Sequence, residues 1–360
     1  MQFTCTQADI VVALAMIQGI GKNAKTLLRV TEHEIEVVST DSEITMAVKC
    51  AATVGLDSSS IMVDARHFFQ VVKSLPSGTV DVKQEDNYRM VIDCGPAHFK
   101  TFGLDPKDFP ALPPFVARST MVVKGLVHLI DQVYFCIPAE DNRYGINGCH
   151  FEAEDGHLRL VSTDGSRMAY SEAEFQGDFK IPPKTLVSRK TLQEVKRMVG
   201  SDEVPASISF GKSNMILVKT DRAQLHARLV DGEFPPYRRV LPQSHLRRVE
   251  VDRVALVEAL KRVALEARDK SSTIKVQFTR EELLASSRSV EYGEASHPVP
   301  VVMTGEDATM GLNAAFLLDA LNAFDDGVAT MELGEALGPC VIRPKDKTEC
   351  LFIVMPIRLD

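Results

Sequence analysis

Asp64-Ala65-Arg66-His67-Phe68-Phe69-Gln70-Val71-Val72-Lys73-Ser74-Leu75 is the stretch that decides the fold, because its pattern is written three times. Asp64 is a short side-chain acceptor just ahead of an apolar-periodic run, the mark of a helix N-cap. Ser188 and Asn313 hold the same place, at spacings of 124 and 125 residues. The positions four, seven and eleven residues after each cap are apolar in every copy: Phe68, Val71, Leu75; Leu192, Val195, Val199; Leu317, Ala320, Phe324. At 3.6 residues per turn these fall on one face, so each copy carries one buried helical stripe.

Outward from that helix the copies continue to agree. A second helix opens each one, with apolar first, fifth and eighth positions: Ile10, Leu14, Ile17; Leu126, Ile130, Val133; Leu256, Leu260, Val263. Between the helices lies strand-like sequence, in which Val37-Val38-Ser39-Thr40-Asp41 is matched by Leu160-Val161-Ser162-Thr163-Asp164 and, more loosely, by Leu283-Leu284-Ala285-Ser286-Ser287. After the capped helix come alternating, β-branched segments such as 79–92 and 206–218. Each copy closes on an apolar residue and a proline: Phe109-Pro110, Phe234-Pro235, Met355-Pro356. The expectation is an α+β chain of three repeated modules, 1–116, 117–244 and 245–360, each with antiparallel sheets and two helices on one side.

Composition excludes several classes. The chain has 360 residues, 45% apolar and 25% charged, which suits a multidomain globular protein. The early apolar run 10–17 lacks the basic flank of a signal peptide and is too short for a membrane span, so the expected location is the cytoplasm. Seven scattered cysteines without a Cys-x-x-Cys pair read as reduced, mostly buried thiols.

No catalytic constellation, metal set or cofactor motif stands out. Gly19-Ile20-Gly21-Lys22-Asn23 has the wrong glycine spacing for a phosphate loop, and Asn23 stands where Ser or Thr would bind magnesium. Asp41 and Asp164 could belong to a metal-dependent enzyme, but both end matching Ser-Thr-Asp turns, where a carboxylate commonly caps its own backbone. A net charge of −8 argues against coating nucleic acid with the whole surface. The six helical segments together carry +4 and the remainder −12, which a basic helical face or ordinary charged helix surfaces explain equally well.

Over its whole length the chain resembles the β sliding clamp of bacterial DNA polymerase III. The resemblance is carried by Val63-Asp64-Ala65-Arg66 running to Ser74-Leu75-Pro76; by Asp108-Phe109-Pro110-Ala111-Leu112-Pro113; and by Arg143-Tyr144-Gly145-Ile146-Asn147-Gly148. Ser162 to Ala169, Asp231 to Pro242 and the terminal Val354-Met355-Pro356-Ile357-Arg358-Leu359 complete it. The family implies a non-catalytic processivity factor, a head-to-tail homodimer whose six modules ring double-stranded DNA with helices inside. Twelve helices side by side at about 8 to 10 Å leave a hole of about 25 Å, wide enough for a duplex and water. Six would not.

The resemblance further implies weak phosphate contacts from Lys22, Lys25, Arg143, Arg189, Lys190, Lys196 and Arg197, with Tyr144 near DNA, and interface residues Phe99 and Leu265. It implies a groove for short peptides of the polymerase III alpha subunit, the clamp loader, and other polymerases and repair proteins. That groove would comprise Ile146, Thr163, Gly165, Ser166, Arg167, Met168, Pro235, Arg239, Val240, Pro339, Ile353, Met355, Pro356, Ile357 and Arg358. Three features depart from the family pattern: Ser166 replaces a common histidine, residues 21–26 lack the usual proline loop, and Glu266 stands at a commonly apolar interface position. A divergent second-copy or mobile-element clamp and a protein scaffold that has lost DNA are the remaining readings.

Overall fold

The computed structural model describes residues 1–359 except 22–23, 32–33, 56–58, 113, 140–146, 177–178, 212–213, 243, 268–271, 290–292 and 336. In the first third, β1 (Gln2–Thr6) leads into α1 (Gln7–Ile17), followed by β2 (Lys25–Val30), β3 (Glu34–Thr40), β4 (Ile44–Ala51), the short β5 (Thr53–Val54) and β6 (Ser60–Val63). Then come α2 (Ala65–Ser74), β7 (Thr79–Gln84), β8 (Arg89–Cys94) and β9 (Ala97–Phe102). The middle third repeats the plan: β10 (Ala117–Val123), α3 (Leu126–Tyr134), β11 (Gly148–Glu154), β12 (His157–Thr163), β13 (Arg167–Gln176), β14 (Leu186–Ser188), α4 (Arg189–Val199), β15 (Ala206–Gly211), β16 (Met215–Lys219) and β17 (Ala223–Arg228). The last third runs β18 (Arg247–Asp252), α5 (Arg253–Val263), β19 (Thr273–Phe278), β20 (Glu282–Ser289), β21 (Gly293–Thr304), β22 (Ala308–Asn313), α6 (Ala314–Asn322), β23 (Val328–Leu333), β24 (Cys340–Pro344) and β25 (Cys350–Val354).

The capped helices form where the repeat places them. The Asp64 side chain accepts from the His67 N–H and Asn313 from the Phe316 N–H, each satisfying a donor that the first helical turn leaves open. The stripes are buried: Phe68, Val71 and Leu75 in the first copy, Leu192, Val195 and Val199 in the second, and Leu317, Ala320 and Phe324 in the third. One register differs from the sequence overlay. Ser162 Oγ donates to the Val133 carbonyl at 2.5 Å, and Ser287 Oγ makes the equivalent bond to Val263 at 2.8 Å. Ser287, not Ala285, is therefore the third counterpart. Apolar alternation alone does not register a strand to better than its two-residue period, so the slip went unmarked in the pattern.

Two compact units emerge, and neither coincides with a repeat. The first gathers Met1–Val127, Phe175–Lys180 and Lys190–Leu229; the second gathers His128–Glu174, Ile181–Arg189 and Val230–Asp360. Within the first, β9 ends a sheet ordered β5-β1-β7-β8-β9, while β4 pairs with β17 so that β6-β2-β3-β4 continues into β17-β16-β15-β10. Within the second, β13 pairs with β25 in the same antiparallel way, joining β14-β11-β12-β13 to β25-β24-β23-β18-β21. The fourth long strand of one repeat thus takes the last strand of the next, twice.

The C-terminal tail is tied as well. The Ile357 N–H donates to the Gly311 carbonyl at 2.8 Å, and a Cβ at residue 311 would lie 2.4 Å from the Ile357 carbonyl oxygen. Only glycine allows that approach. No helix among the described residues is long and apolar enough to cross a membrane.

Removing either carboxyl or amide cap leaves a helix donor unmet, so Asp64→Ala and Asn313→Ala should each lower unfolding free energy by about 0.5 to 2 kcal/mol. Urea titration of the parent and the two variants measures this, and unchanged midpoints would contradict the capping role.

Candidate functional site

An apolar cavity of about 510 Å³ opens in the second unit, where β13 runs beside β25. One wall comes from the β12–β13 turn and the start of β13: Thr163, Gly165, Arg167 and Met168. Another is the segment Glu233-Phe234-Pro235-Pro236-Tyr237 with Val240, and the third is Ile353 and Met355 from the chain's last strand and tail. The two prolines remove backbone donors and fix φ along the segment, after which Tyr237–Arg239 form one 3-10 turn. Beneath the cavity Val161, Met168, Tyr237, Val341 and Ile353 pack as a buried cluster. Its floor is buried, while Val240 at 43% and Met355 at 36% remain exposed. Large apolar side chains held open to solvent over a packed floor are what an apolar ligand would cover.

Polar groups frame this cavity. Tyr237 Oη donates to Glu152 at 2.6 Å, and Arg238 reaches Glu152 at 2.7 Å and Glu154 at 2.6 Å. Partial burial works against the Glu152 charge, but these hydrogen bonds hold its carboxyl below the usual range. Arg159 joins Glu154 to Glu172, and Tyr170 Oη donates to Glu172. His150 stacks on Phe234, rings 5.2 Å apart and 13° from parallel, with Nδ1 3.2 Å from the Thr185 carbonyl.

Arg167 is the most constrained cation of the site. Its Nε donates to Asp164 at 2.8 Å, Nη1 to Asp319 at 2.5 Å and Nη2 to the Phe135 carbonyl at 2.9 Å. The guanidinium also lies 4.3 Å from the centre of the Phe316 ring. Asp164 Oδ1 accepts from the Ser166 and Arg167 N–H groups, and Asp41 Oδ1 from Glu43 and Ile44, so both carboxylates cap their own turns. That arrangement fits the structural role rather than a catalytic one.

Eight of the groove residues named from the resemblance line the cavity: Thr163, Gly165, Arg167, Met168, Pro235, Val240, Ile353 and Met355. Ile146 lies outside the described residues. Ser166 reaches the cavity wall through its backbone, its carbonyl accepting from the N–H of the lining residue Met355 at 2.9 Å. Arg239, Pro339 and Pro356 do not line it, and Ile357 and Arg358 face a different cavity with Lys275 and Arg288. The tail turns at Pro356 onto β22, which carries those side chains away. Glu233, Phe234, Pro236 and Tyr237 line the cavity without having been named as groove residues. No local pattern marks them: Tyr237 joins the buried cluster and Phe234 packs against it only because the segment meets β13 in the folded chain.

The expected phosphate contacts are less free than a charge count suggests. Lys190 pairs with Asp41, and Arg197 with the buried Glu194 at 3.1 Å. Arg189 donates to the Ile137 carbonyl and lies 4.4 Å over the Tyr134 ring, and Lys25 donates to the Asp108 carbonyl at 3.0 Å. Lys196 also has a partner, while Lys22, Arg143 and Tyr144 fall outside the described residues. Of the two residues expected at an interface, Leu265 is 61% exposed and Phe99 is half-buried on the edge strand β9.

Burial holds the His150 imidazole below its ordinary value, against the opposing pull of its Thr185 hydrogen bond. The unfolded chain therefore takes up a proton near pH 6.5 that the folded chain refuses, and stability is lost as pH falls below that value. His150→Phe keeps a ring to stack on Phe234 and removes the titration. The fall in melting temperature between pH 7 and pH 5.5 should be smaller in this variant than in the parent, and equal falls would contradict the assignment.

Comparison with known proteins places this geometry. Residues 1–113, 120–236 and 238–358 match the family models for the N-terminal, central and C-terminal domains of the DNA polymerase III beta subunit. The chain is similar to the beta sliding clamp of Vibrio cholerae, 27% identical with all of both chains covered, and to that of Proteus mirabilis, 30% identical over 92% of this chain and 91% of that one. Among solved structures it resembles the DNA polymerase III subunit beta of Pseudomonas aeruginosa, at a TM-score of 0.93 and 27% identity over the whole of both chains. The corresponding Thermotoga maritima protein gives a TM-score of 0.91 at 26% identity, again over all of both. Matched in order by all three domain models and along all or nearly all of its length by these relatives, the chain belongs to the DNA polymerase III beta subunit family, the beta sliding clamps.

Proposed function

We propose that two copies of this chain close head to tail into a ring around duplex DNA, and that the cavity beside β13 and β25 tethers replication and repair proteins to it. The three modules of this reading are 1–116, 117–244 and 245–360. The observation that supports ring closure is the repeated edge pairing, β4 with β17 and β13 with β25. The remaining strands of these two kinds are β21, at the chain's third fourth-strand position, and β9, its first last-strand position. Among the described residues, Gly293 to Pro300 of β21 pair only with β20, and β9 pairs only with β8. A second copy satisfies both edges, with Phe99 and Leu265 at the contact.

A closed ring holds DNA by topology, so its contacts need only be weak. Lys22, Lys25, Arg143, Arg189, Lys190, Lys196 and Arg197, with Tyr144, are the proposed phosphate-facing groups, reading no base edges. The ion pairs of Lys190 and Arg197 reduce the positive field and favour sliding over tight binding. A clamp loader opens the ring in this reading, and the ring works in the cytoplasm.

Once loaded, the protein should remain on closed circular DNA and leave after the circle is cut, with little dependence on sequence. Gel filtration of loaded complexes before and after linearisation tests this. Equal retention on both forms would refute encirclement.

The groove should take a short extended peptide with a glutamine and two large apolar side chains, whose anchors cover Met168, Val240, Ile353 and Met355. Central anchors concentrate binding energy, so Met355→Ala should weaken a fluorescent peptide of this kind by roughly 5-fold to 150-fold. Because Met355 is 36% exposed, melting temperature should barely change. Fluorescence polarisation showing equal affinity in two folded proteins would remove the groove assignment.

A further inference from the structure

Among the described residues Arg167, at the start of β13, is the one cation in the cavity wall, and its charge is already committed. Asp164 and Asp319 each pair with it, at 2.8 and 2.5 Å, and the Phe135 carbonyl takes a third N–H. Three of its five donors are therefore engaged inside the protein. Asp164 is bound by its own turn, but Asp319 is not a local partner. It comes from α6, 152 residues further along the chain, and is absent from the cavity lining. Arg167 with two carboxylates makes a cluster of formal charge −1 at a place where the arginine alone would be +1. Behind it, Asp319 and Phe135 also line a neighbouring cavity with Asp131 and Asp325, alongside His128.

We propose that Asp319 is a positioning residue that sets the groove's specificity, by pinning Arg167 from the far side and leaving that end of the cavity net negative. Peptides that place an amide or hydroxyl group beside Arg167 are accepted there, and peptides that place a carboxylate there are disfavoured. A neutral amide oxygen can still use the two remaining guanidinium N–H groups, whereas an added carboxylate meets Asp164 and Asp319 within a few ångströms of its own charge.

This inference rests on the groove being a peptide site, and the experiment separates the two. In the full-length protein, binding of a fluorescent glutamine-containing peptide is compared with that of a series in which one glutamate is walked through every position. At one position the parent should lose about threefold to tenfold in affinity at low salt, a penalty that shrinks as ionic strength rises. Asp319→Asn should remove that penalty at that position alone, while Asp319→Glu, which restores the charge, should keep it. If no position carries a penalty that Asp319→Asn relieves, or if Asp319→Asn weakens every peptide equally, the proposal is overturned. Met355→Ala is the control for the site itself. A uniform loss with Met355→Ala but no charge discrimination discards the role of Asp319 and leaves the groove standing; no effect of Met355→Ala discards both. Melting curves for each variant confirm that the comparison is between folded proteins.

Discussion

Arg167 to Ser171 take their outer hydrogen bonds from Cys350 to Val354, and this one pairing is what the site depends on. A backbone N–H or carbonyl without a partner is costly when buried and an aggregation hazard when exposed. A repeat built of open sheets has such edges at both ends. Here they are met by neighbouring repeats: β13 receives β25, as β4 receives β17. The pairing also sets a register, Met168 opposite Ile353 and Arg167 opposite Val354, which brings apolar side chains from distant parts of the chain into a single cavity. The groove is thus a consequence of how the fold disposes of its edges.

Around that seam the chain spends its polar groups on holding shape. Tyr237, Arg238, Glu152, Glu154, Arg159, Glu172 and Tyr170 form a continuous lattice beside the cavity. Such a lattice is favourable only while each member keeps its partners, which makes it specific to one arrangement. The carboxylates at Asp41 and Asp164 belong to the same economy, each capping a turn and neutralising a neighbouring cation. A protein that works by enclosing and tethering needs geometry more than reactive groups, and its ionisable residues are used accordingly.

The helical stripes beginning at Asp64, Ser188 and Asn313 were legible because a helix's apolar face is written within a dozen residues. So were the Ser-Thr-Asp turns, whose chemistry is local. The loosely matched third turn was not, since Ser287 is identified only by its bond to Val263, on a helix whose distance along the chain differs between copies. At the groove, Met168, Val240 and Met355 followed from the family pattern, whereas Tyr237 and Phe234 required seeing that the Pro235-Pro236 segment folds over β13. The pairing of the cationic residues was the least legible. A net-charge count of the helix includes Glu194 but shows neither that this buried carboxylate holds Arg197 nor that Asp41, far off in sequence, holds Lys190.

By itself the sequence determined the helices, their caps, the threefold repeat and the kind of chain this is, because those properties depend on periods and short motifs that each segment contains entirely. Only the tertiary structure decided which strand edges meet, that β13 and β25 share a register, and that Asp319 of α6 reaches Arg167. Those are contacts between segments separated by more than a hundred residues. Their energies come from hydrogen bonds and burial that exist only once both partners are in place, so no local pattern carries them.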